Sequence, residues 1–239
     1  MSFMRKILAA LLFACGAALF QGGFVHTQEK AAGKKNDDKD TIALISAASL
    51  GKTDQVLAML NRGVNPNERE PVKGGKTALI RAIMSKNINT VKALLDHGAD
   101  VHLQDGWGRH PVYFCHTSTI EITNLILAKG GDKDLNHGPL FMLVSLCDHG
   151  YAPADMIPIL VKAGANPNVH KERVTPLIAS IILEKPAGRG KDYVKALIES
   201  KADVNLRDTR KEKTTPLQWA KKKGDQEIID MLIKSGAKE

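Results

Sequence analysis

One phrase returns along this chain at a nearly fixed interval, and that interval limits the fold more than any other feature. It reads Leu60-Asn61-Arg62-Gly63-Val64-Asn65-Pro66-Asn67, then Leu95-Asp96-His97-Gly98-Ala99-Asp100-Val101, then Leu127-Ala128-Lys129-Gly130-Gly131-Asp132. It comes back as Val161-Lys162-Ala163-Gly164-Ala165-Asn166-Pro167-Asn168, Ser200-Lys201-Ala202-Asp203-Val204-Asn205 and Lys234-Ser235-Gly236-Ala237. Counted from Gly63 through positions 98, 130, 164, 201 and 236, the intervals are 35, 32, 34, 37 and 35 residues. A unit of that length holds one pair of short helices, and one pair cannot bury its own apolar stripe. Stacked pairs can, so the period points to an array and not to a single closed core. Aromatic residues are only 5% of the chain, which suits thin helical layers better than a thick interior.

A second phrase opens each unit: Thr77-Ala78-Leu79, His110-Pro111-Val112, Gly138-Pro139-Leu140, Thr175-Pro176-Leu177 and Thr215-Pro216-Leu217. Threonine before a helix accepts a bond from an otherwise unpaired amide, and proline at the first helical position forgoes an amide that has no partner there. Small residues follow at Ala82, Ala179 and Ala220, where neighbouring helices must come close. The second helix of each unit carries apolar residues at helical spacing, as in Val91, Leu94 and Leu95, or Ile228, Ile229, Leu232 and Ile233. Glycine then supplies the left-handed stop at 63, 98, 164 and 236. In the last unit Lys221 to Lys223 and Asp225 to Glu227 give the polar outer face that an end repeat needs.

These phrases resemble the ankyrin repeat, a unit of about 33 residues with the signature T-P-L-H-x-A. The resemblance covers Thr41 to Lys238 and is strongest from Gly98 to Pro111, where only His110 departs from the expected threonine. It implies an all-α ankyrin-repeat solenoid of about six helix-turn-helix repeats with short β-turn fingers. It also implies that a partner protein is bound on the concave surface formed by the fingers and first helices. Here the fingers map to Asn65–Lys76, His102–Arg109, Asn166–Val174 and Asn205–Thr214. The unit from His137 to Val169 lacks the threonine cap, has Pro158 in the first turn of its second helix and carries a longer helix connection, so the middle of the array should be its least regular part.

Residues 1–27 read as a signal peptide. Arg5 and Lys6 precede the apolar stretch Ile7 to Phe20, whose 14 residues fall short of the roughly 20 a spanning helix needs. Residues 28–40 are charged and read as a flexible linker, and 41–239 as the ankyrin-repeat domain. The expected location is therefore the periplasm, or the medium if secretion continues. Leu12-Phe13-Ala14-Cys15 also resembles a lipobox, and lipidation at Cys15 would anchor the chain to a membrane. Beyond residue 27 the chain holds 32 basic and 26 acidic residues, and residues 171–239 alone hold 16 against 11. A basic second half favours an acidic partner and speeds its approach.

The sequence carries no complete catalytic or metal-binding motif. Glu70 to Thr77 has the glycines, lysine and threonine of a phosphate loop but lacks its first glycine. The histidines at 97, 102, 110 and 116, with 137 and 149, would have to converge within about 2.1 Å of a zinc ion, and helix-end and capping positions do not imply that. Cys115 and Cys147, expected on helices of adjacent repeats, read as buried free thiols more than as a disulfide. Seven aromatic residues beyond the leader, with no basic-aromatic stripe, argue against nucleic acid. The expectation is a monomeric, non-catalytic protein-binding scaffold without a cofactor, one that supports or restrains a periplasmic enzyme. The alternatives are a secreted effector that binds a host protein and an enzyme with an unrecognised histidine metal site. The candidate contact residues are Trp107 and Arg109 on one finger, Lys171 and Arg173 on another, and Arg207, Arg210, Lys211 and Lys213 on the last. Trp219 is expected to pack inward instead.

Overall fold

The threonine caps at 77, 175 and 215 and the glycine stops act in the structure as their chemistry requires. The computed structural model describes residues 38–137, 153–170, 173–182 and 189–238. Thr77 Oγ1 accepts from the amide of Ile80, and Thr175 Oγ1 from that of Ile178, both at 3.2 Å. Thr215 does the same for Gln218, whose side chain returns the bond to the Thr215 amide at 2.9 Å, a complete capping box. At the far end of the second helices, Gly63, Gly98, Gly164 and Gly236 all have left-handed φ. The next amide then reaches back to close the helix: Ala99 to the Leu94 carbonyl, Ala165 to Leu160, and Ala202 to Leu197, each 2.9 Å.

Between these signals lie α1 (Asp38–Ser49), α2 (Thr53–Asn61), α3 (Ala78–Met84), α4 (Ile88–Asp96), α5 (Ile120–Ala128), α6 (Met156–Lys162), α7 (Pro176–Ile182), α8 (Arg189–Glu199), α9 (Pro216–Lys223) and α10 (Gln226–Lys234), with 3-10 helices at Pro111–Thr117 and Gly131–His137. First helices contact first helices, α1 with α3 and α7 with α9, and second helices contact second helices, α2 with α4 and α8 with α10. Ala78, Ala82, Ala179 and Ala220 are buried where the layers meet, and one run of buried apolar side chains extends from Leu44 to Leu232. No continuous strand occurs among the described residues; an isolated antiparallel bridge joins Arg69 to Thr77 at the base of the first finger.

Two elements differ from expectation. Helix α1 starts at Asp38, three residues inside the segment read as linker. Asp38 and Asp40 in its first turn suit the positive end of the helix dipole. The first helix of the third unit is 3-10 over Pro111–Thr117 and not α. His110 makes no side-chain cap there, the segment carries Tyr113 and Phe114 in place of small residues, and the Thr117 hydroxyl takes the Phe114 carbonyl at 2.8 Å. Crowded rings and a competing hydroxyl tighten the turn. The leader at 1–27, residues 28–37 of the linker and the capless segment 138–152 with Cys147 lie outside the described residues, as does Lys171.

Candidate functional site

The fingers are held to one another by side chains at a fixed register. Asn67, four residues past Gly63, donates to the Gly98 carbonyl at 2.9 Å and accepts from the Asp100 amide at 2.8 Å. Asn205, four past Lys201, does the same toward the last unit, to the Gly236 carbonyl at 3.2 Å and from the Lys238 amide at 2.7 Å, while Asn168 accepts from the Asp203 amide at 2.8 Å. Two residues earlier, Asn65, Asp100, Asn166 and Asp203 each turn a side-chain oxygen onto that same residue's amide. The sequence carried this as Asn-Pro-Asn and Asp-Val-Asn after each stop, a pattern read only as a repeat marker. Where His102 takes the asparagine's place, its Nδ1 meets Asp134 at 2.7 Å, and His110 lies 3.3 Å from the same carboxylate.

The first two fingers form one unit. The Gly106 amide donates to the Gly75 carbonyl at 3.0 Å, and a side chain on Gly74 would meet Trp107 Nε1 at 1.7 Å. The indole therefore lies on the neighbouring finger, yet Trp107 remains 58% exposed. Val72, on the same tip as Gly74, is 65% exposed, and Lys73 Nζ stands 5.5 Å from the indole centre. A large ring held rigid on one side and open on the other is a ready contact surface.

Arg109, expected as a contact residue, is bound within its own finger. Its Nε and one terminal nitrogen donate to Asp105 Oδ2 at 2.8 and 2.6 Å, and its guanidinium lies 5.4 and 5.0 Å from the rings of Tyr113 and Phe114. Asp105 Oδ1 also accepts from the amides of Trp107 and Arg109 at 2.9 and 3.0 Å. Burial pushes the Asp105 carboxyl up, but the bonds from Arg109 and Trp107 and the Arg109 charge outweigh it and hold it below its ordinary value. Arg109 thus fixes the finger that presents Trp107.

The fingers 166–174 and 205–214 are joined in the same manner: the Thr209 amide donates to the Arg173 carbonyl, and His170 Nε2 bonds the Arg207 carbonyl, both at 2.8 Å. Buried Asp208 accepts from the Thr214 amide at 2.9 Å and from Trp219 Nε1 at 3.1 Å. Trp219 is half-buried, with Arg210 and Lys222 stationed 5.4 and 5.0 Å from its ring. Arg210 is therefore partly engaged with its own finger, while Arg173, Arg207, Lys211 and Lys213 are exposed. Arg173 has φ +70° and Lys213 φ +49°, the left-handed region where a side chain costs about 1 kcal/mol or more. Gly108 occupies the same register, two residues before the helix cap, with φ +74°.

Reactive groups are stored away from these surfaces. Cys115 is a free thiol, fully buried, and burial pushes it up to about 12, so it carries no thiolate at neutral pH. Burial likewise holds His116 below its ordinary value, with the Arg109 charge adding to the effect and the Tyr113 carbonyl opposing it. No group of three His, Cys, Asp or Glu side chains among the described residues could hold a metal ion. Glu70 is forked by Arg81 at 2.9 and 2.8 Å, and its carbonyl fills the space that a side chain on Gly75 would need. Thr77 caps α3, so the glycine-rich segment builds a finger and not a phosphate cradle.

Comparison with known proteins agrees with this geometry. The family model for ankyrin repeats in three copies matches residues 7–105 and 141–239. The ankyrin repeat protein YahD of Escherichia coli is 30% identical over 200 residues, which cover 80% of this chain and 94% of that protein. The crystal structure of an ankyrin repeat domain from Acinetobacter baumannii superimposes with a TM-score of 0.67 at 27% identity, covering 82% of this chain and 98% of that one. Human protein phosphatase 1 regulatory subunit 27 is 31% identical over 84 residues, 35% of this chain and 48% of that protein.

Proposed function

The chain belongs to the ankyrin-repeat family, and on that footing we propose that it holds a partner protein in the bacterial periplasm, meeting it with its fingers and first helices. The observation that carries this reading is Trp107, seated on Gly74 of the adjacent finger and still more than half exposed beside Val72. Pre-ordered aromatic surface of this kind binds without a large ordering cost. The resemblance of one stretch to a phosphatase regulatory subunit supports a role in supporting or restraining an enzyme.

Trp107→Ala should weaken capture of the partner about ten-fold, a truncation cost of about 1–2 kcal/mol, while leaving the melting temperature close to that of the wild type. Unchanged capture by the folded variant would remove Trp107 from the interface. The periplasmic part of the proposal rests on residues 5–27 alone. N-terminal sequencing of the mature protein should begin near Gln28; a start at Cys15 would mean a lipid anchor, and an intact Met1 in the cytoplasmic fraction would end the export proposal.

A further inference from the structure

Among the described residues four non-glycine positions have left-handed backbone, and all four are cationic: Lys86, Arg173, Lys201 and Lys213. Lys86 and Lys201 stand two residues past the ends of α3 and α8, where a positive charge offsets the negative end of the helix dipole. That account fails for Arg173 and Lys213, which stand in fingers just before a helix begins. A glycine at their register serves the second finger, at Gly108. The two later fingers carry a long cationic side chain at a position whose backbone favours none, and such strain is retained where the side chain has work to do.

From this placement we propose that Arg173 and Lys213 form a paired cationic grip for an acidic segment of the partner, a run of aspartate and glutamate side chains; the proposal deepens the scaffold reading and rests on it. Both residues are exposed, and neither makes an ion pair among the described residues. Among the described residues, the carboxylates of the last finger are already engaged, Asp208 inside its finger and Glu212 with Lys222 at 2.9 Å. Arg207 donates to the Lys213 carbonyl at 2.9 Å, which adds its charge to the tip. The two fingers are tied through Thr209 to the Arg173 carbonyl and through Asp203 to Asn168, so the cations are held at a fixed spacing before a partner arrives.

The surroundings favour an acidic polypeptide over other anions. Trp219, on the helix beside these tips, is half-buried and has Arg210 and Lys222 near its ring, so it is not a free stacking platform for a nucleobase. None of the exposed large apolar residues lies on either finger, so nothing there would enter a lipid surface.

The test measures fluorescence anisotropy of a labelled, glutamate-rich peptide of about twelve residues with the full mature chain at low salt. Arg173→Gly with Lys213→Gly should weaken binding about ten-fold and raise Tm by about 2–4 °C, because glycine relieves the left-handed backbone. Arg173→Gln with Lys213→Gln keeps the side-chain strain, and should lose the binding without the rise in Tm. Lys92→Gln with Lys129→Gln, the same charge loss on the second helices, should leave binding within about two-fold. Wild-type affinity in both finger variants would overturn the proposal, as would tighter binding of a single-stranded oligonucleotide or of phosphatidylglycerol vesicles that depends on the same two residues. If the finger variants still capture the native partner while Trp107→Ala does not, this grip is wrong and the scaffold stands; if the wild type captures no protein at all, the scaffold reading itself falls.

Discussion

Leu94→Ala should lower the stability of the array by about 3 kcal/mol, near the middle of the range for emptying a buried leucine site. Leu94 has no exposed surface and lies on α4, which packs against α2, α3 and α5. Those helices belong to three successive units, so the vacated volume is shared by the layers on both sides and cannot close by moving one hairpin. In a stack, each unit draws its stability from its neighbours, and a defect at one interface weakens the layers next to it. Urea unfolding followed by circular dichroism should show the midpoint falling with the loss spread over the first three units. A loss below about 1 kcal/mol would mean that the units are held together by something other than this shared stripe.

Asp105→Ala should destabilise by about 3 kcal/mol at pH 7, because a buried carboxylate that accepts two amides and the Arg109 guanidinium is removed at once. The effect should depend on pH in a definite direction. Asp105 is held below its ordinary value of 3.8 in the folded chain, so its contribution is fully present above that value and is lost as pH falls through the lower, folded value. The gap between wild type and variant should therefore be constant at neutral pH and narrow as pH drops below about 4. Thermal melts from neutral to acid pH measure it. A gap that stays the same in acid would mean that the carboxylate's charge is not what holds the finger. The same variant should also weaken partner capture, since Trp107 loses the turn that aims it.

How much of this was legible in the sequence follows from the range of the interactions involved. Caps and stops act within one turn, so threonine at 77, 175 and 215 and glycine at 63, 98, 164 and 236 could be placed from the residues alone. The burial of Ala82, Ala179 and Ala220 followed from the same period. The partners of long side chains could not be placed so. Arg109 could be named as a candidate contact, but nothing in a linear pattern shows that Asp105, four residues before it, is buried and bound to it. Trp107 could be singled out by its residue type and its place on a finger, but that its indole lies against Gly74 while more than half the residue stays exposed is a matter of packing between fingers. The 3-10 helix at Pro111–Thr117 was masked by the match of Pro111 to the family phrase, although Tyr113, Phe114 and the uncapping His110 were visible. The asparagine links between fingers were in plain view at constant register, yet only three dimensions show that position four after each stop reaches the next unit.

The account stands or falls on which face of the stack meets the partner. A photo-crosslinking residue placed singly at Val72, Trp107 or Lys211, in cells that make the protein, should give the same discrete heavier adduct from each finger position. The same residue at Lys92, Lys129 or Asp230, exposed sites of the second helices and the turns that follow them, should give none. Adducts from the second-helix sites with none from the fingers would contradict the account.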